Sequence, residues 1–425
     1  MTGRLRALWR GAIQSRFVRS FGVLLSGSAV AQLLPLAVSP LLTRLYTPAQ
    51  FGEYALFVSG VNILSQLVCL KYDFAILTAK TDEDAAALFR LCLALSLVLA
   101  LLLSLAAPFA PQISSALGAQ GSGWLYLLPV GSMLTGLHSA LTYYNTRVQC
   151  YRRITGANIL RSAVLAASQV LLCFAHLGAF ALTLGQVLSY GAACLLLWQK
   201  VAPFHRSAAG QGMRSAARDY DAFPKYTMPG ALCNTAASGS VSFFLATFYS
   251  SRELGYYSLV NRVLATPLTL VSTSVGQVYA KELTDARENG DPKRVFRRVA
   301  GVLSVGAALL FLLLFPAAPA LIRLVFGEQW GPSAAMLRIL LPMVAVRFVV
   351  SPVSSTGIVF GRQLPTMLWQ AGLLLAALLP AGIHLIHPMP LTHYLALQSL
   401  LMGLCYLILL IYCARLTAKG GQNHA

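Results

Sequence analysis

Arg161, Arg262 and Arg347 each lie well inside a long apolar run, where a charge needs a reason to stay. In FYSSRELGYYSLVNRVLATPLTL (248–270) Arg262 stands seven residues past the polar entry, ~10 Å deep at the helical rise. A cation that deep costs at least about 2.5 kcal/mol in hydrocarbon unless it faces protein or water. Each of the three is therefore a candidate for binding, with structural hydrogen bonding as the alternative. Arg44 and Arg338 lie nearer the ends of their runs, within snorkelling reach of the interface. Lys71 and Asp73, in LKYDFAIL, lie toward the end of another run. Two residues apart on a helix, they face different sides and do not pair directly. Asp73 is the one acidic residue this reading places inside a run, so the interior is net positive. Such an interior suits a phosphate or pyrophosphate ligand, reached by Arg262, Arg347, Arg161, Lys71 and Arg44, and does not suit an organic cation. Asp73 is the candidate for coupling to a proton or a sodium ion, with a purely structural role as the alternative.

The elements that must position these residues are membrane spans. Hydrophobic residues make up 57% of the 425, charged residues only 11%, and mean hydropathy is +0.68. A soluble domain carries roughly 25% charged residues, so the chain reads as a polytopic all-α membrane protein. With about 20 apolar residues per span, twelve are legible: 21–45, 54–78, 87–111, 123–146, 156–176, 178–199, 227–249, 256–280, 298–322, 334–358, 364–384 and 391–414. The polar stretch HRSAAGQGMRSAARDYDAFPKY divides them into two lobes. The expected organisation is a basic arm (1–20), an N-lobe (21–200), a linker (201–224), a C-lobe (225–415) and a tail (416–425). The net charge of +19 does not point to nucleic acid. Most of the basic residues fall in alternate gaps and at both ends, whereas the other gaps hold only Arg252 and Arg323. That asymmetry places both termini in the cytoplasm. The N-terminal arginines (Arg4, Arg6, Arg10, Arg16, Arg19) precede no cleavage site and suit anionic headgroups of membrane lipids.

Other chemistry is thin. There is no Walker A motif, HExxH, G-x-S-x-G elbow or dinucleotide fingerprint, and no cofactor is expected. The eight cysteines are scattered singly and read as apolar filler. His384, His387 and His393 lack Cys or carboxylate partners for a metal, and His138 reads as a satisfied polar group between helices. Pro35, Pro129, Pro229, Pro267, Pro342 and Pro352 fall inside spans and permit kinks. Around Pro229 the stretch KYTMPGALCNTAASGS is small and polar, which makes Pro229 and Asn234 cavity or hinge candidates, together with Asn261 beside Arg262.

The chain also repeats itself. LYTPAQFGEYALF (45–57) matches FYSSRELGYYSLV (248–260), pairing Tyr46 with Tyr249, Gly52 with Gly255, Tyr54 with Tyr257 and Leu56 with Leu259 at an offset of 203. ISSALGAQ (113–120) matches IRLVFGEQ (322–329) at an offset of 209. Six spans separate the copies, so both halves share one orientation, with a pseudo-two-fold axis along the membrane normal. Arg262 maps onto Ser59, so its charge breaks the repeat where the motif otherwise matches.

At LLTRLYTPAQFGEYALF and LKYDFAILTAKTDEDAAALF the chain resembles oligosaccharide flippases of the polysaccharide transporter family, often called Wzx-type. FPKYTMPGALCNTAA, LGYYSLVNRVLATPLTLVSTSVGQVYAKEL and VFGEQWGPSAAMLRIL carry the resemblance through the second lobe. It implies the multidrug/oligosaccharidyl-lipid/polysaccharide exporter fold, two six-helix bundles around a cationic cavity. It also implies a bacterial inner membrane and an undecaprenyl-diphosphate-linked oligosaccharide moved from the cytoplasmic to the periplasmic leaflet for O-antigen, capsule or exopolysaccharide synthesis. Expected partners are that lipid-linked oligosaccharide, membrane lipids, and a polymerase and chain-length regulator, with the chain itself a monomer. Within the superfamily, lipid II flippases carry two further C-terminal spans and multidrug cation antiporters use embedded carboxylates, which span 1 lacks. A membrane enzyme of the same pathway would need a long outer loop, and every outer gap is short.

Overall fold

The computed structural model describes residues 16–119, 121–199 and 212–420. The start of the expected basic arm, the first half of the linker and the last residues of the tail lie outside them. Among the described residues there is no strand. In chain order the helices are α1 (Arg16–Leu45), α2 (Pro48–Val68), α3 (Tyr72–Thr78), α4 (Asp82–Ser104), α5 (Ala110–Ala116), α6 (Gly123–Tyr126), α7 (Leu128–Arg147), α8 (Tyr151–Cys173), α9 (Ala179–Trp198), α10 (Met213–Asp219), α11 (Met228–Phe248), α12 (Ser251–Asn289), α13 (Pro292–Phe326), α14 (Ser333–Val353), α15 (Thr356–Val359), α16 (Gln363–Ile386) and α17 (Leu391–Gly420).

Nine helical stretches among the described residues are long and apolar enough to cross a membrane, and the chain is a multi-pass membrane protein. The described apolar part of α1, Ala29–Leu45, is shorter. Helices α7 and α12 fall below that hydropathy because they carry the polar residues of interest: His138, Ser139 and Asn145 on one, Asn261 and Arg262 on the other.

Local chemistry sets the boundaries. Thr47 and Gln50 form a reciprocal capping box at the start of α2: the Thr47 N–H donates to Gln50 Oε1 (2.9 Å) and the Gln50 N–H to Thr47 Oγ1 (3.4 Å). Ser250, the repeat mate of Thr47, caps α12 by accepting from the Glu253 N–H at 3.1 Å. The repeat therefore carries its helix start in both copies. Asp291 starts α13 by accepting from the N–H groups of Lys293 and Arg294.

Three expectations change. The span expected at 54–78 is two helices, α2 and α3, broken at Leu70 and Lys71. The spans expected at 256–280 and 298–322 belong to helices of 39 and 35 residues, about 58 and 52 Å long. These exceed a ~30 Å hydrocarbon core, and the charged gap between them is a helical hairpin turning at Gly290. Pro129 and Pro229 sit in the first turns of α7 and α11, where a missing N–H costs nothing. Pro229 still acts on its surroundings. It cannot donate to the carbonyl four residues back, and Phe223–Thr227 is a π-turn in which the Met228 N–H reaches Phe223 O.

The chain packs as two compact units. One holds residues up to 38, 60–111 and 122–229; the other holds 39–59, 112–121 and 230 onward. The first has its core where α3, α4, α7 and α9 meet (Ile76, Leu88, Phe89, Leu141, Leu197). The second has a core from α12, α13, α14, α16 and α17, including Tyr279, Val353, Leu373 and Cys413. The last residues of α1 and the first half of α2 belong to the second unit.

Candidate functional site

In the first unit the site is built on the helix break. Leu70 and Lys71 both adopt left-handed backbone (φ 48° and 63°), a conformation costing about 1–2 kcal/mol for each non-glycine residue. The surroundings hold it. The Tyr72 N–H closes on Cys69 O at 2.8 Å, and Val68 fills the space beside Gly136, where an added Cβ would lie 2.2 Å from Val68 Cγ1. The Tyr72 hydroxyl donates to Ala217 O (2.9 Å). Arg147 donates to Ile76 O (3.3 Å) and Ala79 O (2.7 Å), at the C-terminal end of α3, and to Asp82 Oδ1 (2.9 Å) at the start of α4.

The break puts Lys71 and Asp73 on the wall of a cavity of about 330 Å³, with Gln66, His138, Tyr143 and Tyr190 among its other walls. Asp73 is 5% exposed. Its Oδ2 accepts from Ser139 Oγ at 2.5 Å, while Oδ1 has no partner among the described residues. Tyr190 links the cavity to Arg161, whose guanidinium lies 5.1 Å from the ring centroid, and meets His138 edge-on at 5.4 Å. The expected His138 role changes: among the described residues its buried Nε2 has no partner, nor has Arg161 Nε. Lys71 and Asp73, and Arg161 from a distant part of the chain, are thus gathered around one cavity and its tyrosine.

In the second unit, Arg262 donates to Ser39 Oγ at 3.3 Å and covers the rings of Phe51 (5.5 Å) and Tyr54 (5.9 Å). Tyr256 accepts instead from Arg252 (2.9 Å). One position earlier, Asn261 lies beside Tyr257, on a different side of α12. Arg347 is on that side, 5.7 Å from the Tyr406 centroid and close to Tyr257. Arg262 and Arg347 therefore attach to different partners. Arg44 is exposed in the last turn of α1, where a cation suits the helix C-terminus. Asn234 is exposed on α11, two turns past Pro229.

Both repeat copies meet inside this second unit, and they do so reciprocally. A Cβ added at Gly52 would sit 1.8 Å from Ser251 O, and one at Gly255 would sit 1.8 Å from Pro48 O. Pro48 maps to Ser251 by the same offset of 203 that pairs the glycines. The side-chain pairs obey the same relation. Ser59 Oγ donates to Ser242 Oγ (2.9 Å), and the mates of these two residues are Arg262 and Ser39. The neighbouring loops follow suit: Gln329 and Trp330 donate to Thr43 O at 2.6 and 2.9 Å, while Gly118 approaches Ala246 O, the mate of that carbonyl. Arg262 thus replaces a serine at one of two equivalent contacts.

One residue escaped the sequence reading. Glu53 was expected in a gap, but α2 begins at Pro48 and takes Glu53 into a helix that can cross a membrane. It is 7% exposed and accepts from the Gly121 N–H at 3.1 Å. Asp84, in the first turn of α4, is also buried and accepts from the Tyr220 hydroxyl at 3.1 Å. Glu53 and Asp84 therefore join Asp73 as buried acidic residues. The signal for Glu53 was the capping box just before it.

The three deep arginines have aromatic or neutral partners. Among the described residues none of Arg161, Arg262 and Arg347 forms an ion pair; the pairs present are Arg147–Asp82, Lys225–Asp221 and Arg323–Glu328. Guanidinium groups held this way keep donors for an anion that arrives from outside the protein.

The model of a polysaccharide biosynthesis protein family matches residues 41–335. No curated protein sequence matches the chain significantly. Among solved structures, the chain is similar to the lipid II flippase MurJ in an inward closed conformation, with TM-score 0.73 and 11% identity over 92% of this chain and 87% of that one. It is also similar to an inward-facing multidrug resistance MATE family transporter of the MOP superfamily (0.63, 12%, 95% and 96%). A MOP superfamily transporter from Pyrococcus furiosus, described by the reversed polarity of its binding pocket, gives 0.65 at 12% identity over 95% and 96%. At such identities the likeness establishes the fold, that of the MATE and MurJ transporters.

Proposed function

Because the chain belongs to the polysaccharide biosynthesis protein family, we propose that it is a flippase for undecaprenyl-diphosphate-linked oligosaccharide repeat units in the bacterial inner membrane. The observation that carries this reading is the set of deep arginines without carboxylate partners, Arg161, Arg262 and Arg347. Charges within membrane spans ordinarily pair with one another or with backbone carbonyls, and for these half-buried arginines the counter-charge is the substrate's diphosphate. Lys71 and Arg161 receive it from the cytoplasmic side; Arg262 and Arg347 hold it on the outward path. Arg44, exposed near the end of α1, meets the headgroup at the interface. Asp73 is the residue for proton or sodium exchange, and no bound cofactor takes part. Both termini face the cytoplasm, and the π-turn before Pro229, with Asn234 and Asn261, supplies the place where the backbone yields during the cycle. The protein acts as a monomer that hands its cargo to a polymerase and a chain-length regulator.

Deleting the gene tests this reading. Lipid-linked repeat units should accumulate on the cytoplasmic face and surface polymer should be lost, with sensitivity to cationic drugs unchanged. Normal polymer together with new sensitivity to cationic dyes would favour a multidrug antiporter. An unchanged polymer with a failing cell wall would favour a lipid II flippase.

A further inference from the structure

We propose that the cavity at the α2–α3 break is a carbohydrate subsite, holding the sugar that adjoins the diphosphate. This rests on the flippase reading and deepens it. The walls decide between ligand classes. Lys71 and Asp73 both line the cavity, so a ligand there meets a cationic donor and a carboxylate acceptor side by side. A neutral polyol suits both. Its hydroxyls donate to Asp73 and to the Gln66 carbonyl oxygen, and they accept from Lys71 and the Gln66 amide.

Asp73 carries the strongest signal. Only one of its oxygens is served, by Ser139 at 2.5 Å, and the side chain is 5% exposed beside the cavity. A buried carboxylate oxygen without a donor is costly, and a ligand hydroxyl supplies that donor. Tyr143 and Tyr190 add flat apolar surface for the C–H faces of a sugar ring. Both rings are held in place: Tyr143 by Phe74 edge-on (5.4 Å, 90°), and Tyr190 by Arg161 and His138. The volume, about 330 Å³, is at the lower end of small-molecule pockets and matches a single ring better than a whole repeat unit. The left-handed break is what opens this wall, because a continuous helix would carry Lys71 and Asp73 away to separate faces.

The test is saturation-transfer NMR on the purified full chain in amphipol, avoiding detergents that carry sugars. The probes are free glucose, galactose, N-acetylglucosamine and N-acetylgalactosamine. At least one should receive saturation; Asp73→Asn should weaken binding about tenfold, the size of one charge-assisted hydrogen bond, and Gln66→Ala about fivefold, that of a neutral one. Each variant is first checked for a monodisperse elution profile, and Arg338→Gln, on the second unit, should bind as wild type does. No transfer to any of the four sugars, or equal transfer in both cavity variants, overturns the proposal. So does sodium binding that depends on Asp73 when no sugar signal is seen. Sugar binding in a protein that moves no lipid-linked oligosaccharide would leave the subsite standing and remove the flippase reading alone.

Discussion

Arg262→Gln and Arg262→Ser should abolish polymer export while the protein still folds and reaches the membrane, and Arg262→Lys should keep part of the activity. The structure supplies its own control for the fold. At the equivalent contact the pair is Ser59 with Ser242, so a serine at position 262 opposite Ser39 reproduces a pairing the protein already tolerates. What serine lacks is the charge. Losing a guanidinium that grips a phosphate in a desolvated site costs about 3 kcal/mol, or roughly a hundredfold in affinity. Lysine retains charge but not the planar fork or its stacking on Phe51 and Tyr54, hence the partial retention. Export by polymer staining and membrane abundance by immunoblot check it. Full export by a well-expressed Arg262→Ser protein would show that the charge is dispensable, whereas failure of Arg262→Ser to fold, with Arg262→Lys folding normally, would assign it a packing role.

The second large effect concerns the crossing of the repeat copies. Gly52→Ala and Gly255→Ala should each destabilise the purified protein by about 3 kcal/mol, at the upper end for overpacking, because the new Cβ meets a backbone carbonyl that has no flexible end to move aside. The two effects should be alike, since the contacts are symmetry mates at 1.8 Å. Gly301→Ala and Gly372→Ala, where an added Cβ meets nothing within 4 Å, should instead leave stability unchanged or raise it by up to about 1 kcal/mol. Thermal melts of the four variants decide this. Equal melting for Gly52→Ala and Gly301→Ala would mean the crossing is looser than the geometry requires.

Much of this architecture is legible in the sequence. Hydropathy and charge asymmetry are read directly by a bilayer, so the all-helical membrane class followed from composition. The repeat was legible because the glycines at 52 and 255 cannot be replaced at so close a crossing, and it led to Ser59 as the mate of Arg262. The break at Leu70 and Lys71 was not legible. VCLKYDFAIL contains neither Gly nor Pro, and its left-handed turn is imposed by Val68 against Gly136 and by Arg147 at the end of α3. The partners of Arg262 were equally hidden, because Ser39, Phe51 and Tyr54 lie more than 200 positions away and only the tertiary fold brings them there. Glu53 is hidden for a smaller reason: the capping box of Thr47 and Gln50 starts the helix before the apolar run begins.

The central claim is that this protein carries a lipid-linked oligosaccharide across a membrane, and reconstitution tests it most directly. Proteoliposomes would contain the purified protein and undecaprenyl-diphosphate oligosaccharide bearing a fluorophore on the glycan. A membrane-impermeant reductant then destroys every label it can reach. With the wild-type protein nearly all of the fluorescence should be lost, because inner-leaflet molecules are brought out; with Arg262→Ser the loss should stop at the outer-leaflet share, as in protein-free vesicles. Wild-type vesicles that stop at the outer-leaflet share, under a proton gradient, a sodium gradient and neither, would contradict the account.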